Sequence, residues 1–267
     1  MKRTPVVFIH GAWLHALSWE PWVERFATRG FRACAPGWPG EGPVRELREA
    51  PETLGRPGLD ALTVHYTQIV QSCDTAPVIV GHSVGGLIAQ RLIAADMGRA
   101  AVAIAPAPIN DIPLPASFAR LPAVAVGGSG GPSVSLSPQV FHRVFANTVT
   151  AEEARRLYER YIVPAPSRLL TDLGYGAEGR SPHTVVDVGN AARGPLLLVS
   201  GQEDRLVPDA ATRAAYKQYG DTTAVTDLKQ FADRAHSLVI DGGWHQVADH
   251  VLGWLDEQGV RARSSEG

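Results

Sequence analysis

Residues 77–85 read Pro-Val-Ile-Val-Gly-His-Ser-Val-Gly, and this stretch decides the fold class of the 267-residue chain. The apolar run at its start predicts a buried strand, and residues 85–95 predict a helix. Between them stands the pattern Gly-x-Ser-x-Gly, with Ser83 at its centre. Glycines two positions before and after Ser83 leave room for a sharp turn from strand to helix, which would hold the serine in a strained backbone conformation.

The same alternation of apolar runs and helical patterns extends along most of the chain. Strands are predicted at residues 5–9, 31–35, 78–80, 100–105, 196–200 and 226–231, and helices at residues 19–29, 61–73, 85–95, 138–147, 151–162 and 244–257. Continuous apolar strands that alternate with helices are typical of a parallel sheet covered on both faces. The first strand is not followed by Gly-x-Gly-x-x-Gly, so a dinucleotide-binding fold is not indicated.

The alternation of predicted strands and helices stops after the fourth predicted strand. A stretch rich in proline and glycine (residues 112–138) leads into two helical patterns, and Thr150 with Glu153 predicts a capping box at the start of the second. We interpret this part as a helical insertion that lies over the sheet. The expected organisation is a core of residues 1–109 and 194–260, a helical cap of residues 110–193 and a flexible tail of residues 261–267.

Composition excludes several classes of function. The 25 basic and 27 acidic residues give a net charge of -2, which argues against binding to nucleic acid or to anionic membranes. No stretch approaches the roughly 20 apolar residues of a membrane span, and a secretory signal is not evident, so a cytoplasmic location is expected. Metal-binding motifs are also missing, and we expect neither a metal nor another cofactor. A homo-oligomer is left open.

A serine hydroxyl is a poor nucleophile until a base removes its proton, and the usual base is a histidine oriented by a carboxylate. We predict His236 as the base for Ser83, because it lies between the last predicted strand and the final helix, where the chain returns to the sheet. His245 is the competing candidate, but it falls on the final helix. The predicted acid is Asp204, which follows the strand at 196–200. Glu203 beside it and the more remote Asp111 are the alternatives.

Taken together, these motifs resemble those of the α/β-hydrolase superfamily over most of the chain. Four segments carry the resemblance: His10-Gly11-Ala12-Trp13, the strand and loop at residues 31–40, the acid loop at 201–208 and the histidine loop at 233–237. The resemblance implies an α/β fold with a mostly parallel central sheet of eight strands, flanked by helices and carrying a cap. The first two strands of that sheet would be absent here, since the first run already resembles the third strand.

Acyl transfer also needs N–H donors aimed at the developing oxyanion, which is often the largest catalytic contribution. The backbone N–H of Val84 is one predicted donor because it follows Ser83. The N–H of Ala12 is the second, because it follows the His-Gly pair. Trp13, Phe141 and Phe145 are candidates for lining the substrate pocket, with packing against or within the cap as the alternative role of these aromatic residues.

Two departures from related enzymes narrow the expected chemistry. Epoxide hydrolases and haloalkane dehalogenases of this fold carry an aspartate where Ser83 stands. Plant hydroxynitrile lyases share the segment at residues 10–13, but they carry a lysine where Ser237 stands. The expectation is therefore a serine hydrolase that cleaves a small to medium, largely uncharged carboxylic ester through an acyl-enzyme. The alternatives are a C–C bond hydrolase, a cofactor-free haloperoxidase-like enzyme or a lyase or cyclase on the same residues, and a non-catalytic binder of small molecules.

Overall fold

The computed structural model describes residues 3–113, 124–126, 131–174 and 181–262. Its strands are β1 (Pro5–Ile9), β2 (Arg32–Cys34), β3 (Val78–His82), β4 (Ala100–Ile104), β5 (Val124–Val126), β6 (Ser133–Ser135), β7 (Ala165–Pro166), β8 (Leu196–Gly201) and β9 (Thr226–Phe231). Its α-helices are α1 (Glu20–Thr28), α2 (Val44–Glu49), α3 (Leu59–Gln71), α4 (Val84–Ala94), α5 (Pro138–Val144), α6 (Ala151–Tyr161), α7 (Ser167–Asp172), α8 (Asp209–Gln218) and α9 (Trp244–Glu257). Short 3₁₀ helices cover Ala16–Trp19, Pro51–Leu54 and Pro182–Thr184.

Six strands form the main sheet in the order β2-β1-β3-β4-β8-β9, and every pair in it is parallel. The residues of β1, β3, β4 and β8 are all buried, which agrees with their continuous apolar runs. The two edge strands are less buried. The predicted α/β class and mostly parallel central sheet are thus confirmed, and the pair of strands expected to be missing is missing from the described part of this sheet.

The order of the strands reverses between β1 and β3. The chain runs outward from β1 to β2 and then returns to the other side of β1 as β3. In open α/β sheets, such a reversal leaves a crevice at the carboxyl ends of the strands, where ligands bind. The segments that follow β1 and β3 contain Gly11 and Ser83 respectively, so both flank this crevice.

An aromatic cluster joins β1 to the helices beside it. The ring of Phe8 stacks on Trp19 with centroids 4.9 Å apart and meets Phe26 edge-on at 5.2 Å. Trp22 completes the cluster and donates its indole N–H to the Val239 carbonyl at 2.9 Å. All four rings are fully buried. Burial of such rings contributes on the order of 2 kcal/mol each, so this cluster anchors the first strand firmly.

The segment between β4 and β8 contains helices, as predicted, together with three strands that the sequence did not suggest. Strands β5, β6 and β7 form a small antiparallel sheet. These strands have two or three residues each, which is too short for an apolar run to indicate a strand, and β6 and β7 also include serine and proline. The helices α2, α7 and α8 were also unexpected. Among the described helices, none combines the length and the apolar composition that crossing a membrane requires.

One local expectation, the capping box at the start of α6, needs correction. Thr150 caps α6 by accepting the Glu153 N–H at 3.2 Å, but the Glu153 carboxylate does not complete the capping box. It accepts the Gly242 N–H at 2.8 Å instead, which ties α6 to the loop before α9. In the expected flexible tail, the carbonyls of Arg261 and Ala262 accept hydrogen bonds from Thr4 at 2.6 and 2.8 Å. The remainder of that tail, residues 263–267, lies outside the described residues.

Candidate active site

Ser83 occupies the turn between β3 and α4 with φ 55° and ψ -120°, a backbone conformation that non-glycine residues rarely adopt. A side chain at Gly81 would place its Cβ 2.0 Å from the Gly85 carbonyl oxygen, so the turn can form only with glycine there. The main chain of Ser83 is held on both sides. Its N–H donates to Ile104 at 2.9 Å, and its carbonyl accepts the Ala107 N–H at 2.9 Å.

The loop after β1 packs directly against this turn. A Cβ on Gly11 would lie 2.7 Å from Ser83 Cβ and 2.9 Å from His82 Nδ1, so the glycine allows the main chain to approach. The next N–H, that of Ala12, donates to no protein group in the described part of the chain. The N–H of Val84 belongs to the first turn of α4, where no intrahelical acceptor exists.

His236 and Asp204 form a buried pair at the same edge of the sheet. His236 Nδ1 lies 2.7 Å from Asp204 Oδ2, and both side chains are fully shielded from solvent. The other carboxylate oxygen of Asp204 accepts the N–H groups of Leu206 and Val207, each at 2.8 Å. Because Nδ1 faces the carboxylate, it carries the proton and leaves the lone pair on Nε2. That Nε2 is buried and has no hydrogen-bond partner among the described residues.

His82 links the turn of Ser83 to the loop of His236. Its Nε2 donates to the main-chain oxygen of His236 at 2.9 Å, and the two rings lie 4.5 Å apart. Burial, with further contributions from His236 and His10, lowers the pKa of His82 well below its ordinary value of 6.5. The His82 ring is therefore neutral, with its proton on Nε2.

The competing residues lie elsewhere. Glu203, beside Asp204, has an exposed side chain and contributes its carbonyl to a hydrogen bond with Asn147. His245 is exposed on α9, where it contacts Trp244. Asp111 is also exposed. Of the residues weighed from the sequence, the structure brings His236 and Asp204 into contact and leaves these three at the surface.

Trp13, Phe141 and Phe145 are all buried. The indole of Trp13 donates to the Val134 carbonyl at 3.0 Å, which places this ring beneath the segment between β4 and β8. Phe145 meets the His236 ring edge-on at 4.7 Å and stacks on Phe141 at 5.1 Å. These contacts show packing around the imidazole, and a role in lining the substrate pocket stays a prediction.

Asp241 supports the His236 loop and was not singled out from the sequence. It is 1% exposed and accepts the Ser237 hydroxyl and the Gly243 N–H, both at 3.0 Å. Arg234 lies 3.4 Å from the same carboxyl group. Burial raises the pKa of Asp241 above its ordinary value. Its distance of four residues from Ser237 is the one sequence signal that could have indicated this contact.

Histidine, cysteine and carboxylate groups are the side chains that most often bind metal ions. Within the part of the chain that the structure describes, no three of them cluster in a way that could hold an ion.

A parallel sheet whose central strand turns sharply into a helix at a buried serine defines the class of α/β hydrolases. The chain belongs to the Alpha/beta hydrolase family, whose sequence model matches residues 6–250.

Solved structures of low sequence identity share this fold. A methylesterase, MES16, from Arabidopsis has a TM-score of 0.66 at 16% identity, covering 95% of this chain and 99% of that one. A monoacylglycerol lipase from Paleococcus ferrophilus has a TM-score of 0.68 at 22% identity, covering 95% and 94%. A pyrethroid hydrolase from Sphingobium faniae JZ-2 has a TM-score of 0.65 at 16% identity, covering 95% and 97%.

Proposed function

We propose that the protein is a serine hydrolase that cleaves carboxylic esters through an acyl-enzyme on Ser83. One observation carries the proposal: the strained serine turn and the buried His236–Asp204 pair meet at the same edge of the sheet, joined through the hydrogen bond of His82. A nucleophile, a base and an orienting carboxylate are the three parts that this chemistry needs.

In the proposed reaction, Ser83 Oγ attacks the ester carbonyl carbon while His236 Nε2 takes the hydroxyl proton. Asp204 keeps the imidazole oriented and stabilises its positive charge. The N–H groups of Ala12 and Val84 bind the oxyanion. When the tetrahedral intermediate collapses, the ester C–O bond breaks and His236 returns the proton to the departing alcohol. A water molecule then releases the acid from Ser83 through the same steps.

We further propose a small to medium, largely uncharged substrate. Aromatic rings pack against the base, with Phe145 edge-on to His236 and Phe141 stacked behind it. An apolar surrounding of this kind disfavours a charged group that would lose its water on binding. The activities named for the structural neighbours, methylesterase, pyrethroid hydrolase and monoacylglycerol lipase, are compatible with hydrolysis of such molecules.

A fluorophosphonate probe tests the nucleophile, and p-nitrophenyl esters of increasing acyl length test the reaction. We expect labelling at one serine and ester turnover, both lost in Ser83→Ala. A matched pair of neutral and carboxylate-bearing esters should show preference for the neutral one. Labelling of Ser83 without turnover of any ester would point to other chemistry on the same residues. If Ser83 is not labelled and no ester is turned over, the result would favour a non-catalytic binding protein.

A further inference from the structure

His10 is a buried histidine whose two ring nitrogens both face oxygen acceptors. His10 follows β1 and is fully shielded from solvent. Its Nδ1 lies 3.1 Å from the Gly11 carbonyl oxygen, and its Nε2 lies 2.8 Å from Glu41 Oε2. The second contact is within ion-pair distance but does not have the geometry of a hydrogen bond, so Nε2 has no hydrogen-bond partner among the described residues. Oxygen atoms beside both ring nitrogens are the surroundings that suit a ring with a proton on each nitrogen.

The carboxylate of Glu41 is held in place by further contacts. Its Oε1 accepts the Ala16 N–H at 2.9 Å and lies 3.5 Å from His15 Nε2. Its side chain is 3% exposed. Burial alone would raise the pKa of Glu41, but the neighbouring His10 and the hydrogen bond from the Ala16 N–H lower it to about 2. Glu41 is thus a fixed negative charge inside the protein.

Trp38 completes the surroundings of the His10 ring. Its indole stacks on the His10 ring with centroids 4.4 Å apart and planes inclined by 25°. An aromatic face stabilises a positive charge above it. Among the described groups, the titratable side chains that face His10 are Glu41, from the loop after β2, and His82, from β3. His82 is neutral, so the one charge opposite His10 is that of Glu41.

The geometry of the peptide bond connects this ion pair to the serine. In a planar trans peptide, the C=O and the N–H point in opposite directions. The Gly11 carbonyl oxygen accepts the Leu14 N–H at 3.3 Å and contacts His10 Nδ1 at 3.1 Å, so His10 helps to set the direction of the Ala12 N–H on the other side of the same peptide plane. A positive charge beside that carbonyl also polarises the peptide and makes its N–H a stronger donor.

We propose that Glu41 is a positioning residue for the oxyanion-binding N–H of Ala12: it keeps His10 doubly protonated, and His10 orients and polarises the Gly11–Ala12 peptide. The inference rests on the proposed function, because it assigns a task to the oxyanion site of that reaction. An isolated buried cation would be costly, and Glu41 compensates it.

The charge state of His10 can be measured without any substrate. Nitrogen-15 NMR of the wild-type protein at neutral pH should show His10 with both ring nitrogens protonated, and Glu41→Gln should convert it to a ring with one proton. A wild-type spectrum with one protonated nitrogen on His10 would overturn the proposal, whether or not the protein hydrolyses esters.

The kinetic readout separates positioning from a structural role. Glu41→Gln should lower kcat by about 10- to 100-fold with little change in KM, because the Ala12 N–H acts on the oxyanion and not on the ground state. The rate of Ser83 labelling by a fluorophosphonate should fall by a similar factor. Glu52→Gln, at an exposed glutamate, is the matched control and should change neither rate.

Labelling also separates this inference from the proposed ester hydrolysis. If the wild-type protein is labelled at Ser83 but turns over no ester, the proposed ester hydrolysis is wrong. The inference about Glu41 can still be tested in that case, by comparing the labelling rates of Glu41→Gln and the wild type. A Glu41→Gln protein with wild-type labelling rate and wild-type kcat would overturn the role of Glu41, even where ester hydrolysis is established.

Discussion

His82 Nε2 donates a hydrogen bond of 2.9 Å to the main-chain oxygen of His236, so the residue before Ser83 fixes the loop that carries its proposed base. The two loops come from strands that are not neighbours in the sheet, since β3 and β9 are separated by β4 and β8. A direct bond between them reduces the freedom of the nucleophile and the base to move apart. Such pre-organisation is what proximity effects in catalysis require.

The neutral state of His82 predicts a pH-dependent stability. Its pKa is depressed in the folded protein, while the unfolded chain protonates it near 6.5. As the pH falls below about 6.5, His82 binds a proton in the unfolded state but not in the folded state. The free energy of unfolding therefore falls by up to about 1.4 kcal/mol per pH unit. Denaturant unfolding between pH 5 and 8 would measure this slope.

His82→Gln should reduce that slope, because its amide can still donate to the carbonyl but does not titrate. The exposed His245→Gln is the matched control and should keep the wild-type slope. An equal slope in the wild type and in His82→Gln would contradict the assignment of the neutral ring.

The contact between His236 and Asp204 predicts the effect of a conservative change in the acid. Asp204→Asn keeps the shape of the side chain but presents an N–H group to Nδ1, so the imidazole would adopt the wrong tautomer. We expect kcat to fall by about 10³- to 10⁴-fold, measured with an ester that the wild type turns over. The neighbouring Glu203→Gln should retain wild-type kcat, and the reverse pattern would assign the acid to Glu203.

Removal of the base should have a larger effect. His236→Ala leaves Ser83 without a proton acceptor, and we expect a loss in kcat on the order of 10⁵- to 10⁶-fold. Fluorophosphonate labelling of Ser83 should slow in parallel. His245→Ala, on the surface of α9, should label at the wild-type rate; slow labelling of that variant with normal thermal stability would reopen the choice of base.

Gly11 offers a test of how closely the first loop approaches the serine. Gly11→Ala would place a Cβ 2.7 Å from Ser83 Cβ, so the loop must shift away from the turn. We expect a loss of stability of about 1–3 kcal/mol and a loss of kcat of at least about 10-fold, since the Ala12 N–H moves with the loop. Unfolding curves and ester kinetics measure the two effects separately.

Gly253→Ala is the matched control for this change. The glycine is exposed on α9, and a Cβ there meets nothing within 4 Å. Alanine in a helix should raise the free energy of unfolding by about 0.5–1 kcal/mol and leave kcat unchanged. If both glycine variants lost the same activity, close approach at Gly11 would not explain its effect.

Strands of the main sheet were predictable because a buried strand needs a continuous run of apolar residues, which is visible in the sequence. Residues 5–9 were expected as a strand and form β1, and the apolar run at 196–200 forms most of β8. The small sheet of β5, β6 and β7 has no apolar run long enough to indicate its strands. Its strands are short, and their hydrogen bonds depend on segments that are brought together by the rest of the fold.

The turn at Ser83 is indicated by the sequence itself, because Gly81 makes room for the main chain of Gly85, which is only four residues away. Gly85 differs, since it makes room for the main chain of Ile9, which the fold brings to it from the first strand. The contact of Asp204 with His236, the bond from His82 to His236 and the contact of His10 with Glu41 were decided by the tertiary structure. Each joins residues that are distant along the chain. Such contacts arise only when parallel strands bring their carboxyl ends to one edge of the sheet.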